Sequence, residues 1–315
     1  MQNYRVEKIL GKGTFGEVLL ASDLRDGKFY ALKKLNIGSY TVSFTIKQEI
    51  ETLKQIKDIC IPHLLCYEDY FKESGSGYLV TNYVAGYDLF ELYKPENRHK
   101  IDPSGEVSDF DDEFAMNFLR QLVPVLEHLQ QMRVAHRDIK PGNIIYNPIT
   151  ENFVLIDFGL SIVGKDQRFL GGSTGFISPF IYRQKVTNTR ISINEWMKGD
   201  VYALGTTLFM LLNKRRPYQD SKTKRFLDYE SPNDWIWDGD EEVISIVKMM
   251  LTGDYLASYV ISSFKKFFDI SSSFAAPAQD LEFDSGPGQV YSSPTSYNRS
   301  NASPNRSYVG SYDRS

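Results

Sequence analysis

The stretch His136-Arg137-Asp138-Ile139-Lys140-Pro141-Gly142-Asn143, followed by Asp157-Phe158-Gly159, constrains this chain more than any other part of it. It sets a carboxylate, an ammonium and an amide on one short Pro-Gly loop, with a second carboxylate close behind. Five specified positions in so short a window, at about one in twenty each, recur by chance in roughly one of 10⁴ chains of this size, so the pattern carries information. Reading Asp138 as a loop cap and Asp157 as a turn residue would not explain all four side chains together.

At 315 residues, 42% hydrophobic and 24% charged, the chain can bury a full core in one large domain or two lobes. The net charge of -4, without a long basic run, provides no footprint for a nucleic-acid backbone, so no nucleic-acid partner is expected. No stretch approaches the ~20 apolar residues a bilayer span needs, and Met1-Gln2-Asn3-Tyr4-Arg5 leads into no signal-like run. The expectation is a soluble cytoplasmic or nuclear protein without a membrane partner. Cys60 and Cys66 lie in an apolar stretch and read as buried free thiols, which fits a reducing compartment.

The first third reads as strands: Tyr4 to Gly11, Val18 to Ser22, Phe29 to Leu35, Leu64 to Phe71 and Tyr78 to Asn82, with Asp26-Gly27 as a tight turn. Ile46, Ile50, Leu53 and Lys57 fall at helical spacing behind a capping-box pattern of Thr45 and Gln48. After Tyr83 the pattern becomes helical. Phe114 to Met132 predicts a long helix bent at Pro124, and Asp200 to Leu212, apolar on nearly all sides, predicts a helix buried in the middle of a second lobe. Residues 95–112 read as a loop, and residues 271–315, rich in Ser, Tyr, Asn, Pro and Gly, as a disordered tail.

Gly11-Lys12-Gly13-Thr14-Phe15-Gly16-Glu17-Val18 has a spacing open to three readings: a flap of backbone amides over phosphates, a dinucleotide turn, or a plain hairpin. A dinucleotide site needs a helix directly after the glycines, whereas Glu17 to Ala21 followed by Asp26-Gly27 reads as strand and hairpin. Context therefore favours the flap. On the next strand, Ala31-Leu32-Lys33 places a lysine among residues that should be largely buried, while Lys34 faces solvent. Glu49 stands at the edge of the apolar stripe of the only helix available to cover that sheet, and a charge there needs a partner. Lys33 and Glu49 are expected to form an ion pair that aims the ammonium at phosphates. Asp138 suits a base that accepts a hydroxyl proton, and Lys140 can neutralise charge on a transferring phosphate. Asn143 and Asp157 offer the hard oxygens that Mg²⁺ prefers while it keeps waters and binds phosphate.

Together these residues resemble the eukaryotic protein kinase family, serine/threonine branch, from about Tyr4 to Leu212 and more weakly to about Phe268. The resemblance implies an α+β, bilobal fold spanning residues 1–270. A small five-stranded antiparallel sheet lobe with one helix (about 1–82) meets, through a hinge at 82–86, a larger mainly helical lobe (about 87–270). It implies ATP and Mg²⁺ in the cleft and a protein substrate with a Ser/Thr acceptor. Gly11, Gly13 and Gly16 would lie over the phosphates, Val18, Ala31 and Ile145 would sandwich the purine, Thr81 would stand behind it, Tyr83 would lie on the hinge, and Asp88 would reach the ribose. Lys140 after the base matches the serine/threonine branch, although a tyrosine or small-molecule acceptor stays open, and the tail is a candidate for autophosphorylation.

Two departures stand out. Ser173 matches a family threonine that touches the base and the lysine, but Phe180 occupies a position where the family carries Glu, and the helices after Arg215 look shortened, which together leave a non-catalytic scaffold as the competing reading. Arg137 in such proteins commonly meets a phosphate, yet Ile162 to Gly172 contains no Ser, Thr or Tyr. Either Asp166 supplies a fixed negative charge to Arg137, or packing orders the segment.

Overall fold

The computed structural model of the chain describes residues 3–13, 16–35, 40–57, 60–101, 109–215 and 237–269. Alternating side chains in the first third build a five-stranded antiparallel sheet from β1 (Tyr4–Gly13), β2 (Gly16–Asp23), β3 (Phe29–Leu35), β4 (Tyr67–Glu73) and β5 (Ser76–Asn82), in the order β1-β2-β3-β5-β4. Helix α1 (Tyr40–Ile56) lies between β3 and β4 in the chain. Asp26-Gly27 turns the β2–β3 hairpin, with Gly27 at φ +74°. Gly16 is required for a separate reason: at φ +141°, a Cβ would sit 1.8 Å from the Lys34 carbonyl oxygen, so only glycine lets β2 close on β3 there. One sheet face buries Tyr4, Leu19, Ala21, Leu32 and Val80. The opposite face carries Val18, Ala31, Lys33 and Thr81, because Val18 pairs with Lys33 and Ala31 with Thr81.

Three sequence expectations change here. Helix α1 starts at Tyr40, upstream of Thr45, and Gln48 donates instead to the Ser161 carbonyl at 2.8 Å, so Thr45 and Gln48 are not a cap. Strand β4 starts at Tyr67, not Leu64, because the preceding backbone bonds elsewhere: Leu65 N–H donates to the Leu155 carbonyl at 3.0 Å and Leu155 N–H to that of His63 at 2.9 Å. Cys60 and Cys66 are a disulfide, not free thiols, with Cα atoms 5.4 Å apart, and Cys60 is exposed. The pairing removes the cysteine part of the case for a reducing compartment.

After β5 come β6 (Tyr87–Asp88), α2 (Leu89–Tyr93), α3 (Asp112–Gln131), β7 (Val134–Ala135), β8 (Ile144–Asn147), β9 (Asn152–Leu155), β10 (Ile162–Val163) and β11 (Gln167–Arg168). They are followed by α4 (Pro179–Thr187), β12 (Arg190–Ile191), α5 (Ile193–Asn213), α6 (Glu241–Leu251), α7 (Ala257–Ser263) and α8 (Lys265–Phe268). Pro95–Lys100, read as loop, forms a 3₁₀ turn. Helix α3 is capped by Asp111, whose side chain accepts from Phe114 N–H at 2.8 Å, and continues through Pro124. Helix α5 is buried over nearly its whole length, as its composition predicts, and α3 and α6 pack against it. One apolar core runs from Leu35, Ile50 and Leu53 through Leu64 and Phe158 to Leu208 and Val247, so α1 and the lower helices share a packed interior. The tip of the glycine loop, Thr14-Phe15, and the tail lie outside the described residues. No described helix is long and apolar enough to cross a membrane.

Candidate active site

Three short loops bring the charged residues together. The first is the turn between β7 and β8. Arg137 adopts the left-handed region at φ +70°, a conformation that costs a non-glycine residue about 1–3 kcal/mol unless its surroundings hold it. Asp200, from the middle of α5, does so: its Oδ2 accepts from His136 N–H at 2.6 Å and its Oδ1 from Arg137 N–H at 2.8 Å. Burial pushes the Asp200 carboxyl up to about 7 against these two amides. The sequence reading missed Asp200, and the available signal was a carboxylate at the head of the apolar run Val201–Leu212. His136 is fully buried; its Nε2 lies 3.0 Å from the Ile156 carbonyl and its Nδ1 accepts from Asp138 N–H at 3.3 Å, which assigns the Nε2-protonated tautomer.

With that turn fixed, Asp138 becomes the hub. Its Oδ2 accepts from Lys140 Nζ at 2.6 Å and from Asn143 Nδ2 at 3.1 Å. Its Oδ1 accepts from the Ser173 hydroxyl at 2.9 Å and from Ser173 N–H at 3.2 Å. Lys140 also donates to the Ser173 hydroxyl at 3.2 Å, so Asp138, Lys140 and Ser173 form one closed network.

The loop after β9 carries Asp157, also left-handed at φ +66°. The next residue, Phe158, is fully buried and meets the His136 ring edge-on at 4.8 Å, which leaves the Asp157 side chain on the open side. Lys33 Nζ joins this loop to the sheet: it donates to Glu49 Oε1 at 2.7 Å, to Glu49 Oε2 at 3.0 Å and to Asp157 Oδ1 at 3.1 Å. Burial alone would lower the Lys33 pKa, but the Asp157 and Glu49 carboxylates raise it above its ordinary value. Burial likewise opposes ionisation of Asp157, yet the Lys33 ammonium holds it down at about 2. Glu49 goes the other way: burial, added to by Asp157, raises it despite Lys33.

Among the described residues, no hydrogen bond occupies Asn143 Oδ1 or Asp157 Oδ2, and no group of three or more His, Cys, Asp or Glu side chains could hold a metal. The donor set therefore fits a hard ion that completes its shell with water and phosphate oxygens, as Mg²⁺ does. Val18, Ala31 and Thr81 share the Lys33 face of the sheet, Ile145 is half-buried on β8, and Tyr83 is half-buried just after β5. Gly11 and Gly13 lie opposite Val18 and Gly16 in the β1–β2 ladder. Asp88 caps α2, its Oδ1 accepting from Glu91 N–H at 2.9 Å, while its buried Oδ2 has no partner and burial pushes its pKa up to about 6.

Two expectations about the following segment resolve differently. Asp166 is not the partner of Arg137; its Oδ1 accepts from Ile193 N–H at 3.1 Å, and Arg137 Nη1 instead donates to Gln167 Oε1 at 2.9 Å. Phe180, like Phe169, Tyr182 and Leu256, packs against a second apolar cluster around Ile181 and Trp196, so an apolar contact stands at the position where the resemblance implies Glu.

A family profile described as "Protein kinase domain" matches residues 4–255. The chain is 28% identical over 236 residues to serine/threonine-protein kinase cds1 of Schizosaccharomyces pombe, covering 72% of this chain and 48% of that protein. It is 27% identical over 226 residues to an Aurora kinase of Eremothecium gossypii, covering 70% and 55% respectively. To the carbon catabolite-derepressing protein kinase of Candida glabrata it is 28% identical over 221 residues, covering 69% and 33%. The chain thus spans from about a third to just over half of the length of these curated relatives.

Proposed function

The chain belongs to the protein kinase domain family, and from that premise we propose that it transfers the γ-phosphate of Mg·ATP to Ser/Thr hydroxyls of protein substrates. The observation that carries the reading is the convergence of Lys140, Asn143 and Ser173 on the Asp138 carboxylate, with Lys33 and Asp157 alongside. Lys33, fixed by Glu49, aims its ammonium at the α- and β-phosphates, and the backbone at Gly11, Gly13 and Gly16 covers them. Val18, Ala31, Thr81, Tyr83 and Ile145 enclose the purine, and the unpartnered Asp88 Oδ2 accepts from a ribose hydroxyl. Asn143 and Asp157 hold Mg²⁺, which when bound offsets the charge of the phosphate oxygens.

The substrate hydroxyl donates to Asp138; as its oxygen attacks the γ-phosphorus and ADP departs, the proton passes to the carboxylate. Lys140, already an Asp138 partner, stabilises the negative charge on the transferring group. Lys140 and Ser173 favour serine and threonine over tyrosine, as does the relative named serine/threonine-protein kinase cds1. The scaffold alternative rested on Phe180 and the shortened helices after Arg215; against it, Phe180 packs in an apolar cluster and the Asp138 network is complete. Ser- and Tyr-containing segments of residues 271–315 are proposed autophosphorylation sites. Incubation with a mixed peptide library and γ-labelled ATP tests the assignment: label on Ser and Thr peptides is expected, whereas label confined to Tyr peptides would overturn the acceptor class.

A further inference from the structure

We infer that Trp196 is a positioning residue: its indole face takes the place of a counter-anion beneath Arg137 and, through Gln167 and Phe169, orders residues 166–173 without phosphate. The inference rests on the kinase reading for its role in turnover, but its geometry stands apart from it.

The Arg137 guanidinium is nearly buried and lies 4.3 Å over the Trp196 ring. A desolvated cation is attracted to the face of an indole ring, and no carboxylate is hydrogen-bonded to this guanidinium, Asp200 and Asp138 acting on it only through space. Its only described hydrogen bond is the neutral one to Gln167, and its Nε and Nη2 have none. The indole Nε1 donates to the Gln167 carbonyl at 3.3 Å, so one side chain holds both the arginine and the segment. The stack continues outward. Phe169 lies 6.1 Å from Trp196 with the ring planes 27° apart, and Lys185 Nζ lies 4.8 Å over Phe169.

At the near end, Asp166 is tied to α5 through Ile193 N–H, and Gln167-Arg168 pairs with Ile191-Arg190. At the far end, Gly172 stands at φ +132°, where a Cβ would lie 3.2 Å from the Arg137 carbonyl oxygen, and the next residue is Ser173 on the base. The stack therefore spans the stretch between α5 and Asp138. Two facts exclude a phosphate from this role. Residues 162–172 contain no hydroxyl side chain. The cavity lined by Arg137, Asp138, Ser173, Trp196 and Asp200 measures about 10 Å³, roughly the room one water needs.

The test compares wild type, Trp196→Phe, Trp196→Leu and Phe169→Leu on the full chain after phosphatase treatment, reading kcat, KM for ATP, and the rate of trypsin cleavage at the exposed Lys165 and Arg168. Wild type should keep its activity after phosphatase. Trp196→Leu and Phe169→Leu should lower kcat at least tenfold with KM for ATP within twofold, and should speed cleavage at Lys165 and Arg168 at least tenfold. Trp196→Phe, which keeps a ring face, should recover most of both. Loss of wild-type activity on phosphatase treatment, or Leu variants with unchanged kcat and cleavage, overturns the inference. Should Trp196→Leu not fold, the partly exposed Phe169 decides alone. If no variant, wild type included, transfers phosphate, the kinase reading fails while cleavage still judges the stack: faster in the Leu variants upholds it, unchanged overturns it.

Discussion

The Lys33 ammonium grips both oxygens of Glu49, at 2.7 and 3.0 Å, and so pins α1 to the sheet at the point where Asp157 also arrives. Breaking a buried pair by removing one partner costs about 3–5 kcal/mol because the other charge is stranded. Lys33→Met should therefore lower stability by an amount of that order, weaken ATP binding at least tenfold and abolish transfer. Lys33→Met combined with Glu49→Leu should regain most of the stability and none of the activity. Denaturant titration checks this: a double variant as unstable as the single one would show that the stranded carboxylate is not the cause.

Asp88 predicts a trade-off between stability and binding. Its pKa is raised to about 6, so the native state holds its proton more tightly than the unfolded chain, and the stability this group contributes is present at low pH and lost as pH rises through about 6. Asp88→Asn keeps a capping oxygen but removes the buried charge, so at pH 7.5 it should raise Tm by several degrees, a gain that shrinks towards pH 5. ATP affinity should fall in the same variant. A Tm difference independent of pH would refute the assignment.

The Cys60–Cys66 disulfide closes a short loop that also bonds to β9 through His63 and Leu65. Chain-entropy arguments give such a loop about 2 kcal/mol, or roughly 4–8 °C in Tm for a domain of this size. Because Cys60 is exposed, mild reductant should lower the Tm of wild type by that amount and leave Cys60→Ser unchanged. Thiol labelling that finds two reactive cysteines in protein purified without reductant would contradict the pairing.

Much of the fold and of the candidate site was legible because its signals are local or obligatory. Asp26-Gly27 announces a hairpin by backbone chemistry, and Lys33 and Glu49 announce each other because neither charge can be buried alone. What escaped were contacts set by distance in the chain. Asp200 meets amides of His136 and Arg137 that no spacing rule connects to it, and the Thr45 and Gln48 pattern imitated a cap although Gln48 serves a contact to Ser161. Of the two alternatives for Arg137, the Asp166 charge is the one the described contacts do not bear out, for a related reason. Sequence proximity offered a carboxylate, while the tertiary fold offered an indole face and an amide, which are harder to read as partners for a cation.

The central claim is that Asp138, held by Lys140, Asn143 and Ser173, receives the proton of an attacking hydroxyl. Single-turnover transfer of labelled γ-phosphate to a Ser/Thr peptide, comparing wild type with Asp138→Asn at matched nucleotide occupancy, tests it most directly. The account expects at least a thousandfold slower transfer in Asp138→Asn, with ATP affinity within a few-fold of wild type. Equal transfer by both proteins would contradict it.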